Sequence, residues 1–218
     1  MSARTVNQDL SVLCDCLEWA LEQGMINKNP FRWMRQLRKP RQVVPYISQE
    51  EIDPVFDALP AKHRSFFTFL RETGCRHEEA LAPRRSQINL KRKEVLFLRT
   101  KFSRDRAVPL SPKAIEAIQT VPPSPFYDHA FDNPDTLKRW SDCRKPWESA
   151  RKQAGSKLRV HDLRHFYAIR LAEKGVPMHY IQYMLGHSSV TTTEKYYARF
   201  SPRSAQQAVL AILEGGRG

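Results

Sequence analysis

Five of the eight glycines in this 218-residue chain stand just behind segments whose apolar residues recur at helical spacing, which points to a mainly helical fold. Val6, Leu10, Leu13, Leu17 and Leu21 form the first stripe, over residues 5–23, and Gly24 supplies its stop. Phe66, Phe67, Phe69 and Leu70 belong to a core helix ending at Gly74. A further helix around 136–154 ends near Gly155, and helices at about 162–174 and 178–185 each end at glycine. Glycine accepts the left-handed backbone that closes a helix, so it marks ends at low steric cost. Two short runs break the helical pattern. Val95-Leu96-Phe97-Leu98 and Ala107-Val108-Pro109-Leu110 read as strands around a charged turn at 101–106, a small antiparallel sheet. The expected class is α+β, mainly α.

Breaks in the pattern suggest where the chain divides. Asn27-Lys28-Asn29-Pro30 ends the first helical segment, and Pro40 and Pro45 lie in a linker at about 38–47. A short N-terminal part, 1–44, and a main domain, 45–218, are expected. Ser48 with Glu51 three residues later reads as a capping box. Pro54 would remove a hydrogen bond from a helix begun there, so Asp53 is the alternative cap, with Pro54 in the first turn. A short helix carries Arg76 to Leu81, Ser111-Pro112 opens another through Ile118, and 121–136 is a proline-rich loop. The tail restarts at Ser201-Pro202 and shows Val209, Ile212 and Leu213 as an apolar face.

Lys and Arg number 36 against 23 Asp and Glu, a formal charge of +13. Such an excess is the electrostatic footprint of a nucleic-acid binder, although charge alone leaves an anionic lipid surface or plain solubility open. Its distribution favours a strip of phosphates. Arg32, Arg35, Arg38, Lys39 and Arg41 crowd residues 31–41 with no acid among them, and 84–106, with Arg84 and Arg104, is similarly basic. No run reaches the ~18 apolar residues of a membrane span, and the N-terminus has no apolar signal core. A cytoplasmic protein with no membrane partner is expected. Cys14, Cys16, Cys75 and Cys143 lack paired zinc spacing and read as reduced packing residues.

The chemistry concentrates in two later segments, His161-Asp162-Leu163-Arg164-His165 and the run from Leu185-Gly186-His187 to Tyr196. An Arg and a His one helical turn apart can grip one anion from one face, and a Tyr downstream can supply an oxygen nucleophile to it. Together with Thr73-Gly74-Cys75-Arg76-His77-Glu78-Glu79-Ala80-Leu81, these segments resemble the signature boxes of the tyrosine recombinase, or phage integrase, family, over most of residues 45–200. The resemblance implies that family's catalytic-domain fold across 45–218, with 1–44 as a remnant of a helical core-binding domain and a basic linker. It also implies a site-specific DNA recombinase that cleaves and rejoins strands through a 3′-phosphotyrosyl intermediate. Tyr196, nine positions beyond His187, takes the nucleophile's place. Arg76 and Arg164 fall on the phosphate-clamping arginines, His161 on an acid/base histidine and His187 on a position that hydrogen-bonds the phosphate. Glu79 matches an acidic position that orients its neighbours. Lys101, at the head of a run ending Val108-Pro109-Leu110, resembles the β-turn lysine that protonates the leaving 5′ oxygen, and Arg104 shares phosphate contacts.

Those residue types suit the reaction. A phosphodiester repels nucleophiles and gathers further charge in its five-coordinate transition state, and the planar fork of Arg matches phosphate oxygens better than Lys does. Losing one preorganised donor of this kind typically costs ~10²–10³ in rate. Tyr197 reads as an ordinary packing residue, so removal of its hydroxyl is expected to be mild. His161 and His165 share the spacing of a zinc helix, but Asp162 replaces the usual Glu and Arg164 would set a cation beside the metal. No metal and no cofactor are expected. The resemblance implies double-stranded DNA as partner, a homo-oligomer acting as a tetramer on two DNA sites, accessory DNA-bending proteins, and a prokaryotic or phage setting. The alternatives are an integrase-like DNA-binding accessory protein with little turnover, and strand relaxation of the type IB topoisomerase kind.

Overall fold

The computed structural model describes residues 1–38, 45–98, 105–125, 128–136, 138–187, 189–200 and 209–210. The chain divides into two compact units, Met1–Val43 and Val44–Gly218.

The first unit is built on helix α1 (Ala3–Glu22), whose Ser2 cap accepts the Thr5 N–H at 3.2 Å. Its apolar stripe is only half buried, and Leu13 is 40% exposed. Two asparagines fold the following segment back onto the helix. Asn7 is buried, and its amide both donates to and accepts from the backbone of Leu37, each bond 2.8 Å long. Asn29 does the same work between Cys14 and Phe31. An irregular segment needs partners for its peptide groups, and here side-chain amides supply them.

In the second unit, α2 (Gln49–Asp57) begins at Ser48, with the Glu51 carboxylate accepting the Ser48 N–H at 2.9 Å, and not at Asp53. Pro54 lies inside this helix. Its missing hydrogen bond is offset because Ile52 and Val55 are fully buried. Helix α3 (Ala61–Thr73) is the centre of the core: Phe66, Phe67, Phe69 and Leu70 leave little apolar surface in water. It packs against α5 (Pro112–Thr120) and α7 (Val160–Glu173). Between α3 and the sheet lies the short helix α4 (His77–Leu81).

The sheet has three antiparallel strands in sequence order, β1 (Ile88–Asn89), β2 (Glu94–Phe97) and β3 (Arg106–Pro109), each of the expected pair starting one residue early. Two residues of β1 are too few to show a period, which is why it went unread. Val95 pairs with Val108 and Phe97 with Arg106, so Arg106 and Val108 share the inward face of β3.

Helix α6 (Arg144–Gln153) starts well after the expected 136, because Asn133 instead closes a turn with Asp135 and Lys138. Its Trp147 is buried against Phe67 and donates to the Leu158 carbonyl at 2.9 Å. The chain then runs through α7, α8 (Met178–Leu185) and α9 (Val190–Tyr197) to a 3-10 turn, Ala198–Phe200. Cys75 and Cys143 are packing residues as expected, whereas Cys16 is exposed on the outer side of α1. No described helix is long and apolar enough to cross a membrane.

Candidate active site

Helix α8 ends in a left-handed glycine, Gly186 at φ +64°, whose turn returns the N–H groups of Gly186 and His187 to the carbonyls of Tyr183 and Gln182. The next three carbonyls, at Met184, Leu185 and Gly186, have no helical partner. A different arginine takes each one. Arg106 Nε donates to Met184 O at 2.9 Å, Arg164 Nη2 to Leu185 O at 2.6 Å and Arg76 Nη2 to Gly186 O at 3.3 Å. The negative end of a helix dipole favours such cations. Residues distant in sequence therefore converge on one turn, immediately ahead of His187 and the helix that carries Tyr196.

Each arginine arrives by its own route. Arg76 stands at the start of α4, where the Glu79 carboxylate accepts its backbone N–H at 2.8 Å and its Nη1 at 2.9 Å. Its side chain remains 32% exposed. Arg164, in α7, is only 3% exposed and sends Nη1 to the Gly74 carbonyl at 3.0 Å. Arg106 comes from the inward face of β3, lies over the Phe97 ring, and meets Glu79 through Nη1 at 3.1 Å and Nη2 at 2.7 Å. Sequence reasoning missed Arg106. The available signal was alternation, since a residue two positions from the inward Val108 shares its face, and a charge there needs a partner.

The electrostatics follow from this crowd. Burial alone would raise the pKa of Glu79, but hydrogen bonds and charge from Arg106, joined by Arg76, hold it at about 2. Arg164 is lowered to about 10 by burial and then by Arg76, and stays a cation at neutral pH. Burial, then Arg164 and Arg76, pushes His187 down to about 3. His165 falls to about 4 through burial and then His161. His161 opens to solvent on α7, yet desolvation by its surroundings, then Arg164, lowers its pKa too. All three imidazoles are neutral at pH 7, each with one unprotonated ring nitrogen. Three guanidiniums facing the single carboxylate of Glu79 leave a local positive excess, suited to an anion.

The phage integrase family profile matches residues 45–203. The chain belongs to the phage integrase family. It is 28% identical over 200 residues to tyrosine recombinase XerC of Proteus mirabilis, covering 85% of this chain and 65% of the relative. Against the integrase of Escherichia phage P2 it is 26% identical over 214 residues, covering 97% of this chain and 60% of the relative. The chain thus spans under two thirds of the length of these relatives. Its fold matches that of a lambda integrase tetramer bound to a Holliday junction, with a TM-score of 0.71 at 20% identity, over 87% of this chain and 60% of the other.

In this integrase-family chain Arg76, Glu79, Arg164 and Arg106 meet around the α8 end, His187 directly follows it, and His161 and His165 flank Arg164 on α7. Tyr196 is half-buried on α9, its ring centre 6.4 Å from that of His165. His187 Nδ1 lies 2.9 Å from the hydroxyl of buried Thr193. His161 and His165 meet edge to face with centres 4.9 Å apart, and no group of three metal-ligating side chains forms among the described residues. Arg32, Arg35 and Arg38 are exposed in the first unit, and Arg32 lies 3.7 Å from Glu18. Arg84 is exposed beside a short bridge to His129 and makes no contact with the cluster that the described residues record. Lys39, Arg41, Lys101 and Arg104 lie outside the described residues.

Proposed function

We propose that this chain is a site-specific DNA recombinase that cleaves and rejoins strands through a 3′-phosphotyrosyl intermediate. One observation carries the reading: Arg76 and Arg164 meet at the Leu185–Gly186 carbonyls, next to the helix bearing Tyr196. A DNA phosphate meets the solvent-open side of Arg76 first, with Arg164 behind it and His187 as a hydrogen-bonding neighbour. The positive excess around Glu79 answers the charge added in the five-coordinate transition state.

Tyr196 Oη attacks phosphorus, and its proton passes to neutral His161. The 5′ oxygen leaves with a proton from Lys101, since an unprotonated alkoxide is a poor leaving group. The phosphoryl group stays on Tyr196 until the 5′-hydroxyl of a partner strand attacks it and releases the tyrosine. The covalent link conserves the bond's energy, so rejoining requires no nucleotide. Fixed guanidiniums supply the charge stabilisation that a metal would otherwise give, so the reaction is metal-independent. Exchange between two duplexes calls for several protomers, and the tetramer of lambda integrase on a Holliday junction supports a homotetramer on two double-stranded sites. Arg32, Arg35, Arg38, Lys39, Arg41, Arg84 and Arg104 contribute phosphate contacts. Residues 1–44 act as part of a helical core-binding domain, accessory DNA-bending proteins assist, and the setting is the cytoplasm of a prokaryote.

The test is a pool of nicked suicide duplexes carrying a randomised site. A detergent-resistant protein–DNA adduct is expected, unaffected by chelator and lost in Tyr196→Phe. Binding without any adduct would overturn the reading in favour of an accessory DNA-binding protein.

A further inference from the structure

Tyr197 has no part in the chemistry above, yet it is the more deeply set of the two adjacent tyrosines, with 1% of its surface exposed. Helix α9 has only eight residues, too few to hold a helix in water without docking. Its buried side chains are Thr193 and Tyr197, four positions apart and so on one face of the helix. Each hydroxyl meets a histidine. Thr193 Oγ1 lies 2.9 Å from His187 Nδ1, and Tyr197 Oη 2.7 Å from His165 Nδ1. The two histidines belong to different elements: His187 to the turn after α8, His165 to α7 directly after the clamp residue Arg164.

Tyr196 projects about 100° round the helix from Tyr197. Its direction is therefore fixed by where Tyr197 docks, and its ring comes to lie within 6.4 Å of the same His165. Burial raises the Tyr197 pKa and keeps its phenol protonated, while His165 is lowered to about 4 and is neutral. A neutral phenol and a neutral imidazole thus share the 2.7 Å hydrogen bond between Tyr197 Oη and His165 Nδ1. An oxygen so engaged and so excluded from water cannot compete with Tyr196 for a phosphate.

We propose that Tyr197 is a positioning residue whose hydrogen bond to His165 sets the rotation of α9 and so aims Tyr196 at the phosphate held by Arg76 and Arg164. The proposal rests on Tyr196 being the nucleophile. It replaces the expectation that losing the Tyr197 hydroxyl is mild, because a small misplacement of a reacting atom costs far more rate than stability.

The experiment measures single-turnover adduct formation at saturating DNA for Tyr197→Phe, His165→Ala, their double variant and His165→Gln. DNA affinity, unfolding midpoint and amide exchange over 190–197 are followed alongside. Tyr197→Phe and His165→Ala are each expected to slow the saturated rate by at least roughly tenfold, with affinity within about twofold. The double variant should be no slower than the slower single, as for one shared bond, and His165→Gln, which keeps an acceptor, should recover most of the rate. Exchange in α9 should quicken in Tyr197→Phe while α3 stays protected. An unchanged saturated rate with unchanged α9 exchange would overturn the proposal. Adduct formation surviving in Tyr196→Phe would instead refute the nucleophile reading, and the α9 exchange result would then decide the docking of Tyr197 alone.

Discussion

The carboxylate of Glu79 meets the guanidinium of Arg106 through two hydrogen bonds, 2.7 and 3.1 Å long, with both side chains almost wholly excluded from water. The pair ties α4 to β3, and the same carboxylate holds both the backbone and the side chain of Arg76. Removing one member of a buried pair strands the other's charge, which typically costs ~3–5 kcal/mol. Glu79→Ala is therefore expected to lose about that much in urea unfolding. Glu79→Gln, which keeps an acceptor, should lose less. A loss under ~1 kcal/mol for Glu79→Ala would show that water reaches the pair.

Two glycines that end helices separate backbone strain from crowding. Gly74 and Gly155 have almost the same left-handed φ, +61° and +64°. A Cβ on Gly155 would meet nothing within 4 Å, whereas on Gly74 it would lie 2.3 Å from the Tyr167 ring. Gly155→Ala is expected to cost only the left-handed penalty, ~1–2 kcal/mol. Gly74→Ala should cost clearly more, since buried Tyr167 must move and the Gly74 carbonyl holds Arg164. Equal losses in thermal unfolding would remove crowding from the account.

Stability should also fall with acid in a defined window. His187 and His165 have folded pKa values of about 3 and about 4, below the ordinary 6.5, so the unfolded chain binds protons that the folded chain refuses. Their contribution is complete above about pH 6.5 and is lost as pH falls through the folded values. Glu79, at about 2 against 4.5, adds a second loss at still lower pH. Urea midpoints measured between about pH 7 and pH 4 should decline, and His165→Gln should flatten the decline. A level profile in the unsubstituted protein would contradict the burial of these imidazoles.

Much of this was legible in the residues themselves. Gly74, Gly155 and Gly186 marked helix ends because a left-handed backbone restricts residue choice, while Arg76, Arg164 and Tyr196 were singled out as candidates by the resemblance of three boxes to those of the family. What stayed hidden depended on long-range partners. Arg106 looked like one more basic residue of a charged turn, and only its pairing with Phe97 and Glu79 shows that it faces inward. Tyr197 looked like packing because a sequence does not show that its hydroxyl ends at His165. The helix expected from 136 failed for a local reason: an Asn133 turn satisfied the backbone before a helix could. The α1 stripe promised more burial than Leu13 receives, since periodicity states which residues share a face and not what covers it.

The role proposed for Lys101 predicts a chemical signature. Lys101→Ala should slow cleavage of ordinary DNA by ~10²-fold or more, but barely slow DNA whose leaving group is a 5′-thiolate, which departs without a proton. Single-turnover rates on the two substrates check this. Equal slowing on both would remove Lys101 from the acid role.

The proposed reaction turns on one tyrosine oxygen becoming bonded to DNA, which mass spectrometry of the protease-digested adduct reads at residue level. A phosphotyrosyl nucleotide is expected on Tyr196 and none on Tyr197, whose hydroxyl is buried against His165. A nucleotide found on Tyr197, or on any residue other than Tyr196, would contradict it.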